Sequence, residues 1–412
     1  MTIRMDQLIR AIATALDIVE GNLLGATTHH GKRISVLCAA MGRCFGMSDR
    51  ELSDLATCAL LHDSALTEYI QSNDKGNHPA MPLHCEYGQR NAEQLLFDRD
   101  VRGFILYHHE MADGSGPFRK KEGEYPLGAE LIAIADMLDV TCRLQTICSD
   151  YLPVLRRQIA EEAGPRYTKR AADAMLAVLN EEMLDSLTDS RIRESAEKVI
   201  PPWYAEIKDM VIFRLSEIVM RIIDYKSTYT KNHTSQIANR SWFMAGHYGY
   251  EMTEKAELYL AAALHDIGKL ATPTEILEKP GKLDDREFQI IKDHVMHTDH
   301  MLRGISGFEV ICGWAASHHE KLDGSGYHMG KNAGELDVNS RLLACLDIYQ
   351  AVSEERPYHP RRSHRETMPI LFGMADHGAI DMGIVKDLDV VMEPWSNRNL
   401  PHPEEFNAAV SE

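Results

Sequence analysis

The stretch HHEKLDGSGYH at 318–328 has a counterpart in HHEMADGSGPF at 108–118, and this pair decides how the rest of the chain is read. Outward from the two runs, histidines and aspartates recur in one order. The first half carries His30, His62-Asp63, His84, His108-His109 and Asp136, and the second carries His233, His265-Asp266, His294, His318-His319 and Asp347. His62 follows His30 by 32 residues, as His265 follows His233; His108 follows His84 by 24, as His318 follows His294. From the second histidine of each HH pair to the aspartate the interval is 27 residues in one half and 28 in the other. Only Asp63 to His84, at 21 residues, and Asp266 to His294, at 28, disagree much, and the excess falls in KLATPTEILEKPGKLDDREF at 269–288. Flanking segments agree too: CALLHDSAL mirrors AAALHDIGK, and LIAIADMLD mirrors LLACLDIYQ. Self-similarity of this kind is the mark of two copies of one domain.

Composition is consistent with that reading. The chain has 412 residues, 44% hydrophobic and 26% charged, enough for two cores of ordinary size. Lys plus Arg number 44 against 62 Asp plus Glu, a net charge of −18 without a charged tail. This excludes a broad basic face for a nucleic-acid polymer or an anionic membrane, but leaves room for a local cationic site for a small anion. Eight scattered cysteines, none in a CxxC, read as reduced thiols of a cytoplasmic protein. The opening MTIRMDQLIRAIATALDIVEG reads as an amphipathic helix, not a signal peptide, and no apolar run reaches the roughly 18–20 residues that span a bilayer.

SDLATCALLH, EKAELYLAAALH and VIFRLSEIVMRIID place apolar residues at helical spacing, and no sustained alternating run suggests a strand. The expected fold is all-α, two tandem helical bundle domains of five or more helices each. Residues 1–200 would form the first, including a helical connector around AADAMLAVLNEEMLDSL. The break IPPWYAE at 200–206 would open the second, 201–390, and a polar tail would follow at 391–412.

Neutral imidazoles and carboxylates are ligands for divalent iron, manganese, nickel or zinc. Each half offers five histidines and two aspartates, enough for two ions, and an aspartate beside a histidine at a helix end can bridge them. Two metals about 3.5–4 Å apart turn water into hydroxide and clamp the attacking and leaving oxygens of a displacement at phosphorus. A lone histidine on an apolar helix is more often a core residue; seven positions duplicated at matched spacing favour metal.

HDIGK at 265–269, ILEKPGKLDDREFQIIKDH at 276–294, HHEKLDGSGYH and ERPY at 355–358 resemble the HD-GYP branch of the HD metal-dependent phosphohydrolases. The resemblance spans about 225–390, and the first half is similar to a more divergent HD domain. It implies an all-α fold and a centre of two or three ions, iron or manganese, hydrolysing cyclic di-GMP to pGpG or GMP, or in some members cyclic GMP-AMP. Carried over, the ligands are His233, His265, Asp266, His294, His318, His319 and Asp347, with Asp266 bridging and catalytic. Lys269 would act at the scissile phosphate, Gly324 and Gly326 would let backbone approach the ligand, Tyr327 would face a base or ribose, and Arg356 would hold a phosphate or guanine. Expected partners are the dinucleotide and, as one option for assembly, a second copy of the chain.

Departures from that pattern matter. Tyr229 stands where trinuclear members place a glutamate, so two metals are expected. His328 replaces the proline of GYP, His359 replaces a basic residue with Arg361 and Arg362 nearby, and Gln350 replaces a second aspartate. The first copy keeps His30, His62, Asp63, His84, His108, His109 and Asp136 but has Leu66 for the lysine, Pro117 for the tyrosine and nothing like RPY. It reads as a metal-occupied regulatory or structural domain. Two other readings of the chain stand beside the hydrolase: a receptor that binds the dinucleotide with little turnover, and a di-iron redox enzyme, against which Lys269 and the phosphate-facing motifs argue.

Overall fold

The computed structural model describes residues 1–24, 28–66, 81–95, 97, 100–147, 149–208, 210–224, 226, 232–354, 361–395 and 400. These divide into two compact units, Arg4–Tyr204 on one side and Met1–Ile3 with the chain from Ala205 on the other.

In the first unit α1 (Met5–Leu24) precedes the hairpin of α2 (His30–Cys44) and α3 (Asp49–Leu60), which pack closely on each other. Ser48 and Glu51 form a capping box that starts α3, satisfying two of its free N–H groups. After α4 (Met81–Glu93) and a turn-rich stretch, α5 (Leu127–Cys142) lies against α2 and is buried along most of its length. The connector expected to be helical is four short helices, α6 (Leu152–Glu162), α7 (Lys169–Val178), α8 (Glu181–Ser186) and α9 (Ile192–Val199), of which α7 and α9 also pack on α2. Asn180 breaks the run AADAMLAVLNEEMLDSL by capping α8 through Met183 N–H.

The second unit repeats the plan. Helix α10 (Met210–Asp224) leads to the hairpin of α11 (His233–His247) and α12 (Met252–Leu264), then a 3₁₀ turn at Ile267–Ala271 and the four-residue α13 (Thr274–Leu277). Helix α14 (Asp285–Leu302) begins at the capping box of Asp284 and Glu287, and α15 (Glu309–Ala315), α16 (Val338–Ser353), α17 (His364–Asp376) and α18 (Met382–Met392) complete it. The expected all-helical architecture holds for the described residues, with one addition. Thr2–Arg4 (β1) and Tyr204–Glu206 (β2) pair as a two-stranded sheet, too short for its alternation to register in the sequence. No helix among the described residues is long and apolar enough to cross a membrane.

Candidate metal centre

The second unit brings all seven expected residues to one place. His233 is the first residue of α11 and follows Asn232, whose φ of 69° swings the chain into the helix. His265 caps the end of α12 with Asp266 next to it; His294 comes from α14, His318 and His319 from the turn after α15, and Asp347 from α16. Asp266 sits in the middle. Its Oδ2 lies 3.2 Å from His265 Nε2 and 3.6 Å from His233 Nε2, and its Oδ1 lies 3.4 Å from His294 Nε2 and 3.8 Å from His318 Nε2. Asp347 reaches His233 Nε2 at 3.4 Å and His319 Nδ1 at 3.3 Å. Two ligand groups result, His233–His265–Asp347 and His294–His318–His319, with one oxygen of Asp266 turned to each.

Hydrogen bonding decides which nitrogen is free. Nδ1 of His265, His294 and His318 each lies 2.5–2.6 Å from the carbonyl three residues back, which can only accept. Those three rings therefore donate from Nδ1, and their Nε2 lone pairs point inward. His294 Nε2 and His318 Nε2 stand 3.2 Å apart, two lone pairs face to face, an arrangement that calls for a cation between them. His265 Nε2 and Asp266 Oδ1 are buried without a hydrogen bond, as are His62 Nε2 and Asp63 Oδ1 in the first unit. Buried acceptors in such numbers are costly without a cation, so the residues fit a divalent metal.

Charge states agree with that role. Burial, then the neighbouring imidazoles of His319, His265 and His294, hold His318 well below the usual histidine range, and burial pushes His319 down to about 3. Burial works against the charge on Asp266, but His265 and Lys269 outweigh it and hold the carboxyl well below its ordinary value. Asp347 goes the same way, burial being overcome by His319 and His233. His318 and His319 are thus held neutral beside ionised carboxylates, whereas at His233 burial is outweighed by Glu354 and Asp347, which push it up to about 9. Lys269 Nζ is 2.6 Å from Asp266 Oδ2, at the rim of the cluster. Tyr327 lies against His319 with ring centres 4.8 Å apart and planes tilted by 39°, while Arg356 and Tyr229 lie outside the described residues.

The first unit repeats this geometry. His30 starts α2 after His29, whose φ is 61°. His84 Nε2 lies 3.1 Å from Asp63 Oδ1 and 3.3 Å from His108 Nε2; His62 Nε2 lies 3.4 Å from Asp63 Oδ2, and His30 Nε2 lies 3.2 Å from Asp136 Oδ1. His109 Nδ1 is 4.0 Å from Asp136 Oδ2. Cys85, expected only as a core thiol, lies with His84, His108 and His109 close enough to share an ion.

Several supporting residues escaped the sequence reading. His30 Nδ1 bonds Asp139 Oδ2 at 2.7 Å, and Asp139 is held in turn by Arg33. The second copy has Gln350 where Asp139 stands in the mirrored segments LIAIADMLD and LLACLDIYQ. There the carboxylate comes from Glu354, one helical turn on, whose Oε2 is 2.9 Å from His233 Nδ1; Gln350 ties Glu354 to Arg240. The mirrored Asp139 and Gln350 were the available signal. Asp17 and Asp224 accept the first N–H groups of the two histidine helices, from Gly31 and from Thr234.

The opening stretch also resolves into roles. Glu320, buried, accepts N–H groups from Met329, Gly330 and Lys331, and Glu110 accepts those of Phe118 and Lys120. Asp323 and Asp113 each turn the chain by accepting the N–H two residues on. A Cβ on Gly326 would sit 2.5 Å from Glu320 Cα, and one on Gly116 would sit 2.7 Å from Glu110 Cα. Gly324, with φ of 75°, takes the turn itself. Gly326 is thus required where the loop closes on its own start, and Gly324 by the turn, whatever ligand they also admit.

A family model described as HD domain matches residues 17–148 and 217–384. The chain belongs to the HD-domain family, and the HD-GYP resemblance of its second copy stands with that membership. It is similar to the 3′3′-cGAMP-specific phosphodiesterase 1 of Vibrio cholerae, 27% identical over 92% of this chain and 90% of that protein. A cyclic di-GMP phosphodiesterase of Thermotoga maritima is 32% identical over 39% of this chain and 44% of its own length. The crystal structure of a cyclic GMP-AMP specific phosphodiesterase from V. cholerae shares the fold, with a TM-score of 0.66 at 23% identity over 98% of this chain and 100% of that one.

Proposed function

We propose that the second copy hydrolyses a 3′,3′-cyclic dinucleotide, taking cyclic di-GMP to pGpG with one phosphodiester cleavage or on to two GMP with a second. The observation that carries this reading is Asp266, one oxygen toward each ligand group, with Lys269 on its rim. His233, His265, Asp266, His294, His318, His319 and Asp347 would hold two divalent ions, iron or manganese by resemblance, nickel or zinc by ligand type. When bound, such ions supply Lewis acidity at phosphorus and a nucleophile at neutral pH. Asp266 orients both ligand groups. Lys269, its side chain 16% exposed, can turn its ammonium from Asp266 to a phosphoryl oxygen and offset charge that builds on it. Tyr327 offers a ring beside His319 for a base or ribose, with Lys292 Nζ 5.4 Å from its centre, and Arg356 would hold a phosphate or a guanine edge.

One observation favours a second substrate reading. The relative matched over nearly the whole tandem chain is named for cyclic GMP-AMP. Turnover of both dinucleotides, assayed anaerobically with iron or manganese, separates these readings, and tight binding without product would convert the enzyme to a receptor. The first copy, lacking the lysine at Leu66 and the tyrosine at Pro117, is read as a metal-bound regulatory or structural domain. Replacing Asp266 with alanine is the decisive test: hydrolysis that survived it would refute the assignment.

A further inference from the structure

The first copy has lost the side chains that line the substrate side of the second. Counting back by the repeat, Pro82 stands for Lys292 and Pro117 for Tyr327. A cavity of about 400 Å³ nevertheless opens there, lined by Pro82, Pro117, His108 and His109 together with Arg166 and Tyr167. The last two come from the stretch between α6 and α7, outside the repeated motif. That stretch is pinned to the site loop by two backbone bonds, Ala112 N–H to Arg166 O at 3.0 Å and Asp113 N–H to Pro165 O at 3.1 Å. A cation and a phenol ring thus line the cavity of the copy that lost its own.

Arg166 is weakly held for a guanidinium in this position. Its Nε is buried with no hydrogen-bond partner, its Nη2 lies on the sulfur of Met137 at 3.2 Å, and its Nη1 reaches Glu162 Oε2 only at 3.4 Å. A planar fork with donors to spare, lining one cavity with two histidines of a candidate metal cluster, is suited to a phosphate. Apart from Glu110, whose carboxylate is spent on the N–H groups of Phe118 and Lys120, and Ser115, the rest of the lining is apolar, including Met111, Ala133 and the Tyr167 ring, a surface for a base. The volume lies at the small end of the range for ligand sites, about 300–1,000 Å³, and suits one nucleotide unit.

We infer that the first copy binds a nucleoside monophosphate, its phosphate between Arg166 and the His108–His109 pair and its base against the apolar wall. The choice of a nucleotide rests on the reading of the second copy as a dinucleotide hydrolase; the cavity and Arg166 do not. The test uses the full chain carrying Asp266→Ala, so that the second centre is disabled, with manganese present. GMP binding is measured by calorimetry, with inorganic phosphate as a second probe. GMP should bind, phosphate more weakly, and Arg166→Met should weaken GMP by about tenfold or more. Glu162→Gln frees the guanidinium and should tighten GMP, a change of opposite sign that misfolding would not produce. Absence of GMP binding, or binding indifferent to Arg166, overturns the site, and phosphate bound as tightly as GMP overturns the nucleotide. Hydrolysis by the unaltered chain is scored separately, so failure of that reading and failure of this one are distinct results.

Discussion

Each histidine ring at the second centre has two nitrogens with different tasks, and the sequence reveals only one. His265, His294 and His318 spend Nδ1 on backbone carbonyls, which leaves Nε2 as the sole ligand atom. His233 differs in placing its Nδ1 against the Glu354 carboxylate. Glu354→Gln should therefore loosen the orientation of His233 and lower metal affinity by about 10- to 100-fold, the range for such outer partners, measured by metal titration against the unaltered chain. Asp266→Ala removes the group both ligand clusters share and should abolish detectable turnover while lowering bound metal, read by product analysis and elemental analysis of one preparation. The clustered histidines and aspartates were legible because their spacing is duplicated. Glu354 was not, because the second copy moved the carboxylate one turn from where Asp139 stands, and a single unduplicated glutamate carries no signal of its own.

Among elements, the turn HDIGK shows why a glycine sits between the aspartate and the lysine. A Cβ on Gly268 would lie 2.0 Å from the His294 carbonyl oxygen and 2.7 Å from Thr298 N, so the 3₁₀ turn packs directly on α14. Thr298 fastens this contact by accepting from Gly268 N–H and donating to His265 O. Gly268→Ala should cost about 1–3 kcal/mol in overpacking, seen as a lower urea midpoint, and should disturb His294 as well. The first copy has Ala65 at this position and a shorter path to its next histidine, so its turn is built differently. The helices themselves were plain in the sequence from apolar spacing and caps such as Asp284 with Glu287. The four-helix connector was legible only as helical, since Asn180 caps by a local hydrogen bond that weighs little in a run of good helix formers.

Across the whole molecule, each compact unit gathers one seven-residue cluster whose charged and lone-pair atoms face inward. An ion that binds the folded state alone stabilises it, by about 4 kcal/mol when present at a thousand times its dissociation constant. Chelation should therefore lower the melting temperature, and manganese or iron should restore it. A chain whose melting ignored chelator would not hold ions at these clusters. The duplication was readable at this scale because it rests on counts. The place of Arg166 in the first cavity was not, because its source lies outside the repeat.

Glu320 and Glu110 set the path of the site loop from its beginning, through bonds to main-chain N–H groups that any residue but proline can offer. The side chains at 327–328 and 117–118 take no part in those bonds, so selection could rewrite them and leave the bonds in place. The same freedom is open to engineering: Pro117→Tyr in the first copy should leave its melting temperature nearly unchanged while changing which ligands that cavity accepts.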